Sequence, residues 1–292
     1  MQNFFSKVQA IKLENALYVV ATPIGNLSDI TLRALQILSN VDFIVCEDTR
    51  VSIRLLEAYE IKGKKLLTYN DHNDEKTRKK ILELLVGGNS LALISDAGTP
   101  LISDPGYKLI GFLRQFNQKI IPIPGASSVT SSLSVSGLAC DNFLFLGFLS
   151  TSKIQKEKLL KSLPKNFTFV FFEAANRAVE TLDLIKKNLG NRKICVAREL
   201  TKIHEEIISD ELESVIKFFA EHLEKLRGEF VVIVEKADKS EKTFSKTELV
   251  SEISNAIFLG HSLKDLSQNL SEIYGVNRKE IYQLALRILQ KK

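Results

Sequence analysis

Three short loops in this 292-residue chain set glycine beside small polar residues directly after a β-rich run. They are Thr22-Pro23-Ile24-Gly25-Asn26, Ser95-Asp96-Ala97-Gly98-Thr99-Pro100 and Pro124-Gly125-Ala126-Ser127-Ser128. Glycine permits positive φ and a close backbone approach, and the serine pair can open a helix whose free N–H groups meet polar ligand atoms. One such loop can be a plain turn. Three, gathered at the carboxyl edge of a parallel sheet, predict a shared ligand cleft. A second group, Glu47-Asp48-Thr49-Arg50, ends another β-rich run, and Asn70-Asp71-His72-Asn73 lies beyond the next short strand. Consecutive acid, acid and base are hard to bury unless paired or used. Asp48 or Thr49 can cap the following helix while Arg50 pairs with Glu47, or the group can serve a site; the two readings are compatible. His72, beside a predicted cleft loop, can accept a proton near neutral pH, whereas His204, His222 and His261 read as surface or packing residues.

Other chemistries lack their residues. No G-x-G-x-x-G follows a strand, and no G-x-x-x-x-G-K-[ST], H-E-x-x-H or G-x-S-x-G occurs. Cys46, Cys140 and Cys195 stand far apart without C-x-x-C spacing, which predicts buried thiols rather than a disulfide framework or a zinc site.

The loops need a scaffold, and short β-rich runs alternate with helical-period segments through residue 235, the pattern of α/β layers on a largely parallel sheet. Strands are expected at 17–21, 42–46, 91–94, 119–123, 143–146, 167–172, 193–197 and 229–235. Helices follow the first two of these and are expected around 75–86, 106–116, 127–136, 176–188 and 211–225. The polar, lysine-rich stretch 147–165 reads as the link between lobes, giving domains 1–146 and 147–237. After a charged linker, 246–292 has only helical periodicity and reads as helix, Gly275 turn, helix, either a nucleic-acid reader or a packing and dimerisation element.

A hydrophobic content of 45% suits two buried cores, and the longest apolar runs are far shorter than the roughly 20 residues of a membrane helix. Lys7, Lys12 and Glu14 interrupt any leader-like apolar core, so a soluble, cytoplasmic protein is expected. A net charge of +5 leaves nucleic-acid binding open. Lysine is clustered at Lys62, Lys64 and Lys65, at Lys76, Arg78, Lys79 and Lys80, and at Lys153, Lys156, Lys158, Lys161 and Lys165; each cluster alone can be a solvated helix face.

The strings LYVVATPIGNLSDITLRAL, CEDTR, NDHN, SDAGTPLISDPGY, IPGASS, LGFL, ARELTK and RGEFVVIVE occur here in order. In them the chain, over about residues 15–292, resembles the ribosomal RNA small subunit methyltransferase I family of the tetrapyrrole-methylase superfamily. The resemblance implies a two-lobed α/β fold with a helical appendage and a homodimer. It implies S-adenosylmethionine in the cleft, with S-adenosylhomocysteine as product, and methylation of the 2′-oxygen of a decoding-region cytidine in 16S ribosomal RNA of the small subunit. By motif, Pro23, Ile24 and Gly25, then Ser95, Asp96, Ala97, Gly98, Thr99 and Pro100, then Ser127 and Ser128 border the cofactor. Ala197, Arg198, Glu199, Gly228 and Glu229 join them from the second lobe. Glu47, Asp48, Arg50, Asp71, His72 and Asn73 face the acceptor ribose.

The chain departs from the family pattern at Asn70, where a histidine is common, at Ser150, where G-F-L-P is usual, and at Phe172 and Ala174, where tyrosine and serine are common. Asn70 therefore cannot supply an essential base, and the hydroxyls replaced at Phe172 and Ala174 cannot be needed here. A 2′-hydroxyl is a weak acid, so some group must take its proton; Glu47, Asp48 and His72 are unranked candidates. The same fold hosts small-molecule methylation, and a binding factor could keep it without turnover. The basic link and the tail, with Arg278, Lys279, Arg287, Lys291 and Lys292, favour an RNA substrate, while Leu32, Leu35 and Leu38 are candidates for a symmetric interface.

Overall fold

A computed structural model describes residues 12–71, 75–237, 246–274 and 276–290. The first sheet contains β1 (Leu17–Val20), β2 (Phe43–Cys46), β3 (Lys65–Thr68), β4 (Leu91–Leu93) and β5 (Ile120–Ile123) in the order β3-β2-β4-β1-β5. Every pairing in it is parallel, so the loops leaving the strands share one edge. Alternate residues feed opposite faces. Tyr18, Val20, Ile44, Cys46 and Ala92 pack with α1 (Leu32–Asn40) and α2 (Thr49–Ala58). Leu17, Val45, Leu91 and Leu93 pack with α3 (Glu75–Val86) and α4 (Tyr107–Gln115). Thr31 caps α1 by accepting the Ala34 N–H at 3.1 Å. Leu35 and Leu38 of that helix are buried in the core, so of the three expected interface leucines only Leu32 is exposed.

The second sheet contains β6 (Phe143–Phe148), β7 (Thr168–Ala174), β8 (Lys193–Arg198), β9 (Glu206–Glu211) and β10 (Glu229–Val234), in the order β6-β7-β10-β8-β9. The expected boundary between 146 and 147 therefore falls inside its first strand. Only β6 and β7 are parallel; the other three pairings are antiparallel, against the expectation of a largely parallel sheet. The seven residues between β8 and β9 are too few for a crossover helix, so the chain turns straight back. β9 escaped the sequence reading because an edge strand of sequence EIISDE keeps a polar face.

α6 (Lys153–Ser162), α7 (Ala175–Leu189) and α8 (Leu212–Glu221) cover one face of this sheet. α5 (Ser128–Val135) covers the other, with Val129 and Leu133 against Val170, Cys195, Val231 and Ile233. Lys156, read as part of a basic surface, is instead buried. Its Nζ donates to Thr181 Oγ1 at 2.7 Å and lies 3.4 Å from Glu173 Oε2. Ser150, at the missing proline, donates to Gln155 at 2.7 Å and accepts the Ser152 N–H at 3.1 Å, which orders the entry to α6. Cys46 and Cys195 are buried, but Cys140 is exposed, contrary to expectation.

Residues 164–167 and 236–292 cluster as a separate compact unit. Its helices are α9 (Lys246–Phe258), α10 (Leu263–Tyr274) and α11 (Arg278–Gln290), around a core of Leu249, Ile253, Leu266, Leu270, Ile281 and Ala285. Ser262 and Asp265 cap α10 reciprocally, and Asn277 accepts the Lys279 N–H at 2.9 Å to open α11. Gly275, Lys291, Lys292 and most of the linker lie outside the described residues. Among the described residues no helix is long and apolar enough to cross a membrane.

Candidate functional site

The glycine-containing loops are stitched to one another by their own backbone. Thr22 and Gly98 exchange N–H···O bonds of 2.9 and 3.0 Å, and Thr22 Oγ1 donates to the Ser95 carbonyl at 3.3 Å. Thr99 Oγ1 reaches the Ala126 carbonyl at 3.1 Å, joining the second loop to the third. Asp96 Oδ1 accepts the Asp48 N–H at 3.3 Å and so brings in the loop after β2. Gly98, at φ +78°, needs the conformational freedom of glycine for this arrangement.

These loops and the second sheet enclose a cleft of about 290 Å³. Ile24, Asp96, Ala97, Gly98 and Thr99 line it from the first two loops, and Ser127 and Ser128 from the third. Ala197, Glu199 and Glu229 face it from the second sheet, and Glu47 from the end of β2. The remaining candidates stand behind this lining. Ser95 donates to the Ala97 carbonyl at 3.2 Å, and Arg198 pairs with Glu206 at 3.1 Å. Gly228 takes φ +81° beside Glu199. Gly25 is where the first loop meets the second lobe: an added Cβ would stand 2.5 Å from Lys202 Cγ and 2.9 Å from the Leu200 carbonyl oxygen. Pro23 and Pro100 are not lining residues.

Several lining residues escaped the sequence reading. Ile102, Ser103 and Asp104 come from the far half of the long loop before α4, and Phe148, Phe172, Leu200 and Lys202 from the second lobe. Asp104 had a signal, since SDAGTPLISDPG repeats Ser-Asp eight residues on. Phe172 shows why its missing hydroxyl is tolerated: the ring is an apolar wall, packed edge-on against Phe145 and Phe148 at 5.1 and 5.2 Å.

The acidic group after β2 divides in two. Asp48 caps α2, accepting the Arg50 N–H at 2.8 Å, and its carboxylate also grips the Arg50 guanidinium at 2.6 Å. The expected Arg50–Glu47 pair is therefore replaced by Arg50–Asp48. These bonds to Arg50 hold Asp48 down at about 2, so it is a poor proton acceptor. Glu47 goes the other way: burial, then the charges of Asp96, Asp104 and Asp48, raise it. Burial also raises Asp96 and Asp104, partly offset by the Asp48 N–H and the Ser95 hydroxyl respectively. Asp71 is a structural pin. It accepts from Tyr69 Oη and the Gly106 N–H, both at 2.8 Å, fixing the start of α4. His72 and Asn73 lie outside the described residues.

The cleft thus combines apolar walls, from Ile24, Val129, Phe148, Phe172 and Leu200, with the carboxyl groups of Glu47, Asp96, Asp104, Glu199 and Glu229. Lys202 also lines it but is already committed to Glu199 at 3.0 Å. Glu47, Asp96 and Asp104, crowded and partly desolvated with no ion pair among the described residues, favour a ligand that brings positive charge on a largely apolar body. Among the described residues no group of His, Cys, Asp and Glu is arranged to hold a metal ion.

Residues 16–216 match the family model described as Tetrapyrrole (Corrin/Porphyrin) Methylases. The chain is 48% identical over 223 residues to the ribosomal RNA small subunit methyltransferase I of Rickettsia prowazekii, covering 76% of this chain and 79% of that protein. It is 40% identical to the protein of that name from Synechocystis, covering 93% and 98% of the two chains. Among solved structures, a cobalt precorrin-4 methyltransferase is similar with a TM-score of 0.56 at 15% identity, covering 76% of this chain and 95% of that one. A uroporphyrin-III C-methyltransferase from Thermus thermophilus, complexed with S-adenosylhomocysteine, is similar with a TM-score of 0.52 at 17% identity, covering 76% and 97%. At such identities these structures establish the shared fold alone.

Proposed function

The chain belongs to the ribosomal RNA small subunit methyltransferase I family of tetrapyrrole methylases, and we propose that it methylates the 2′-hydroxyl of a decoding-region cytidine in 16S ribosomal RNA. The observation that carries the reading is the cleft, where the family's motif loops converge on carboxylates that lack cations. S-adenosylmethionine, when bound, supplies an electrophilic methyl group on a positively charged sulfur. Its ammonium and sulfonium suit Asp96, Asp104 and Glu229, its apolar parts suit the Ile24, Val129 and Phe172 walls, and the backbones of Gly98 and Ser127, which line the cleft, would hold its polar edges. Two reactants held in attack geometry avoid roughly 7–11 kcal/mol of barrier, so orientation is the chief work of these loops. Glu47 accepts the proton of the attacking hydroxyl. Its raised pKa makes it a stronger base than Asp48, which is committed to Arg50.

We assign cofactor binding and chemistry to the two α/β lobes, and an RNA-gripping role to 246–292, where Arg278, Lys279 and Arg287 are exposed on α11. The protein is proposed to act in the cytoplasm as a homodimer; a mass near 33 kDa by light scattering would reject the dimer. The decisive experiment incubates the protein with labelled S-adenosylmethionine and small ribosomal subunits lacking the modification, then maps label by mass spectrometry of 16S fragments. Label on one cytidine ribose is expected. Label on a base, or none with correctly folded protein, overturns the assignment.

A further inference from the structure

Three consecutive helices leaving the carboxyl edge of the first sheet carry more base than acid ahead of their last turns. α2 has no acid in its first turn and no base in its last; Arg50 and Arg54 lie in its first two turns and Glu57 near its end. In α3, Glu75 is followed by Lys76, Arg78, Lys79 and Lys80, with Glu83 nearer the end and no base in the last turn. α1 repeats the arrangement more weakly with Arg33. Helix amino ends favour anions and carboxyl ends cations; Asp48 at the N-cap of α2 and Glu75 in the first turn of α3 follow that rule, and Arg54, Lys76 and Lys80 behind them do not.

The topology brings these charges together. β3 is the edge strand and β2 its neighbour. α2 packs on one face of the sheet through Leu56, and α3 on the other through Ile81 and Leu85. Their first two turns, which hold Arg54, Lys76 and Lys80, therefore flank one corner of the carboxyl edge from opposite sides, the corner where Glu47 leaves β2 for the cleft. Arg54, Lys76 and Lys80 are exposed and form no ion pair among the described residues. Lys79 is held only by exposed Glu75, a pair weakened by water.

We infer that Arg54, Lys76 and Lys80 form a two-sided clamp on the phosphates flanking the acceptor nucleotide of an unpaired RNA strand. This rests on the proposed function and deepens it. A ribose that reaches Glu47 must bring its neighbouring phosphates past both faces of this corner. Bases that contact phosphate position the strand without reading its sequence, and each contact adds a salt-dependent increment to binding. Lys62, Lys65 and Arg114 provide an internal control, since they lie at the opposite edge, where β3 begins and α4 ends.

The test measures methylation of small subunits across a salt series for three proteins: wild type, the triple variant Arg54→Ala, Lys76→Ala, Lys80→Ala, and the control Lys62→Ala, Lys65→Ala, Arg114→Ala. Each phosphate contact on a single strand contributes about 0.7 to the log–log salt slope, so the clamp variant should lose about 2 from the slope of KM. Its kcat and cofactor affinity should match wild type, its melting temperature should be no lower, and the control should keep the full slope. An unchanged slope in the clamp variant, or an equal loss in the control, overturns the clamp. Failure of wild type to methylate would instead overturn the functional reading beneath it.

Discussion

Replacing Glu173 by leucine should destabilise the second lobe more than any single change at the cleft rim. The Glu173 carboxylate is wholly buried at the end of β7 and gathers four donors: Arg177 Nη2 at 2.6 Å, Thr181 Oγ1 at 2.7 Å, the Ala174 N–H at 3.0 Å and Lys156 Nζ at 3.4 Å. Lys156 is only 3% exposed, and without Glu173 its remaining partner here is the Thr181 hydroxyl. Breaking a buried pair from one side costs about 3–5 kcal/mol, because the other charge is left uncompensated. At about 2–4 °C per kcal/mol for a unit of this size, Glu173→Leu should lower Tm by roughly 6–20 °C. Lys156→Met should cost less, about 1.5–3 kcal/mol, since Glu173 keeps Arg177, Thr181 and a backbone donor. The double variant should be more stable than Glu173→Leu alone, with Arg177, whose side chain is 26% exposed, able to turn to water. Urea unfolding of the four proteins gives the coupling directly. If Glu173→Leu stays within 0.5 kcal/mol of wild type, or the two changes simply add, the ion-pair account of α6–α7 packing is wrong.

Three further outcomes are expected at the cleft. Glu47→Gln should lower the methylation rate by about 10²–10⁴-fold with cofactor affinity retained; in wild type the rate should fall on acidification from a higher pH than an ordinary carboxylate gives, because burial raises this group. Raised carboxyl groups hold protons that a cationic ligand expels, so S-adenosylmethionine affinity should weaken as pH falls, beginning above the ordinary carboxylate range, with proton release visible by calorimetry in buffers of different ionisation enthalpy. S-adenosylhomocysteine, lacking the sulfonium charge, should show a shallower dependence, and equal dependence for the two ligands would remove the sulfonium from the account. Gly25→Ala drives a methyl group against the Leu200 carbonyl, which cannot rotate away, so about 1–3 kcal/mol of overpacking strain should be read in melting temperature together with weaker cofactor binding; unaltered binding would separate the 22–26 loop from the cofactor.

The first lobe was legible because its strands are apolar runs between glycine-bearing loops, and a parallel sheet with helices on both faces writes exactly that alternation into the chain. Strand direction in the second lobe was not. Nothing in KICVA or EFVVIVE distinguishes a strand that returns through a helix from one that turns back after seven residues, and β9 has no apolar run to mark it. The site divides similarly. Loop residues such as Asp96 and Gly98 announced themselves by type and spacing, whereas Phe148 and Phe172 look like ordinary strand residues until the sheet turns them toward the cleft. Lys156 failed for the opposite reason: its neighbours Lys153, Lys158 and Lys161 are exposed, and only a partner seventeen residues away decides that this lysine is interior.

Charge at this corner is sorted by pairing. Asp48 is held by Arg50, whereas Glu47, Asp96 and Asp104 line the cleft with no ion pair among the described residues, and partial desolvation together with neighbouring carboxylates raises them. A cationic cofactor is therefore attracted to the cleft, while a polyanion is drawn to the exposed bases on α2 and α3 and repelled by the acids of the cleft. If the cofactor restores the balance inside, the acids no longer repel an approaching strand as strongly. Binding of cofactor should then precede and strengthen binding of RNA, an order that equilibrium titration of small subunits with and without S-adenosylmethionine measures; RNA affinity that is indifferent to the cofactor would show that the two layers of charge act independently.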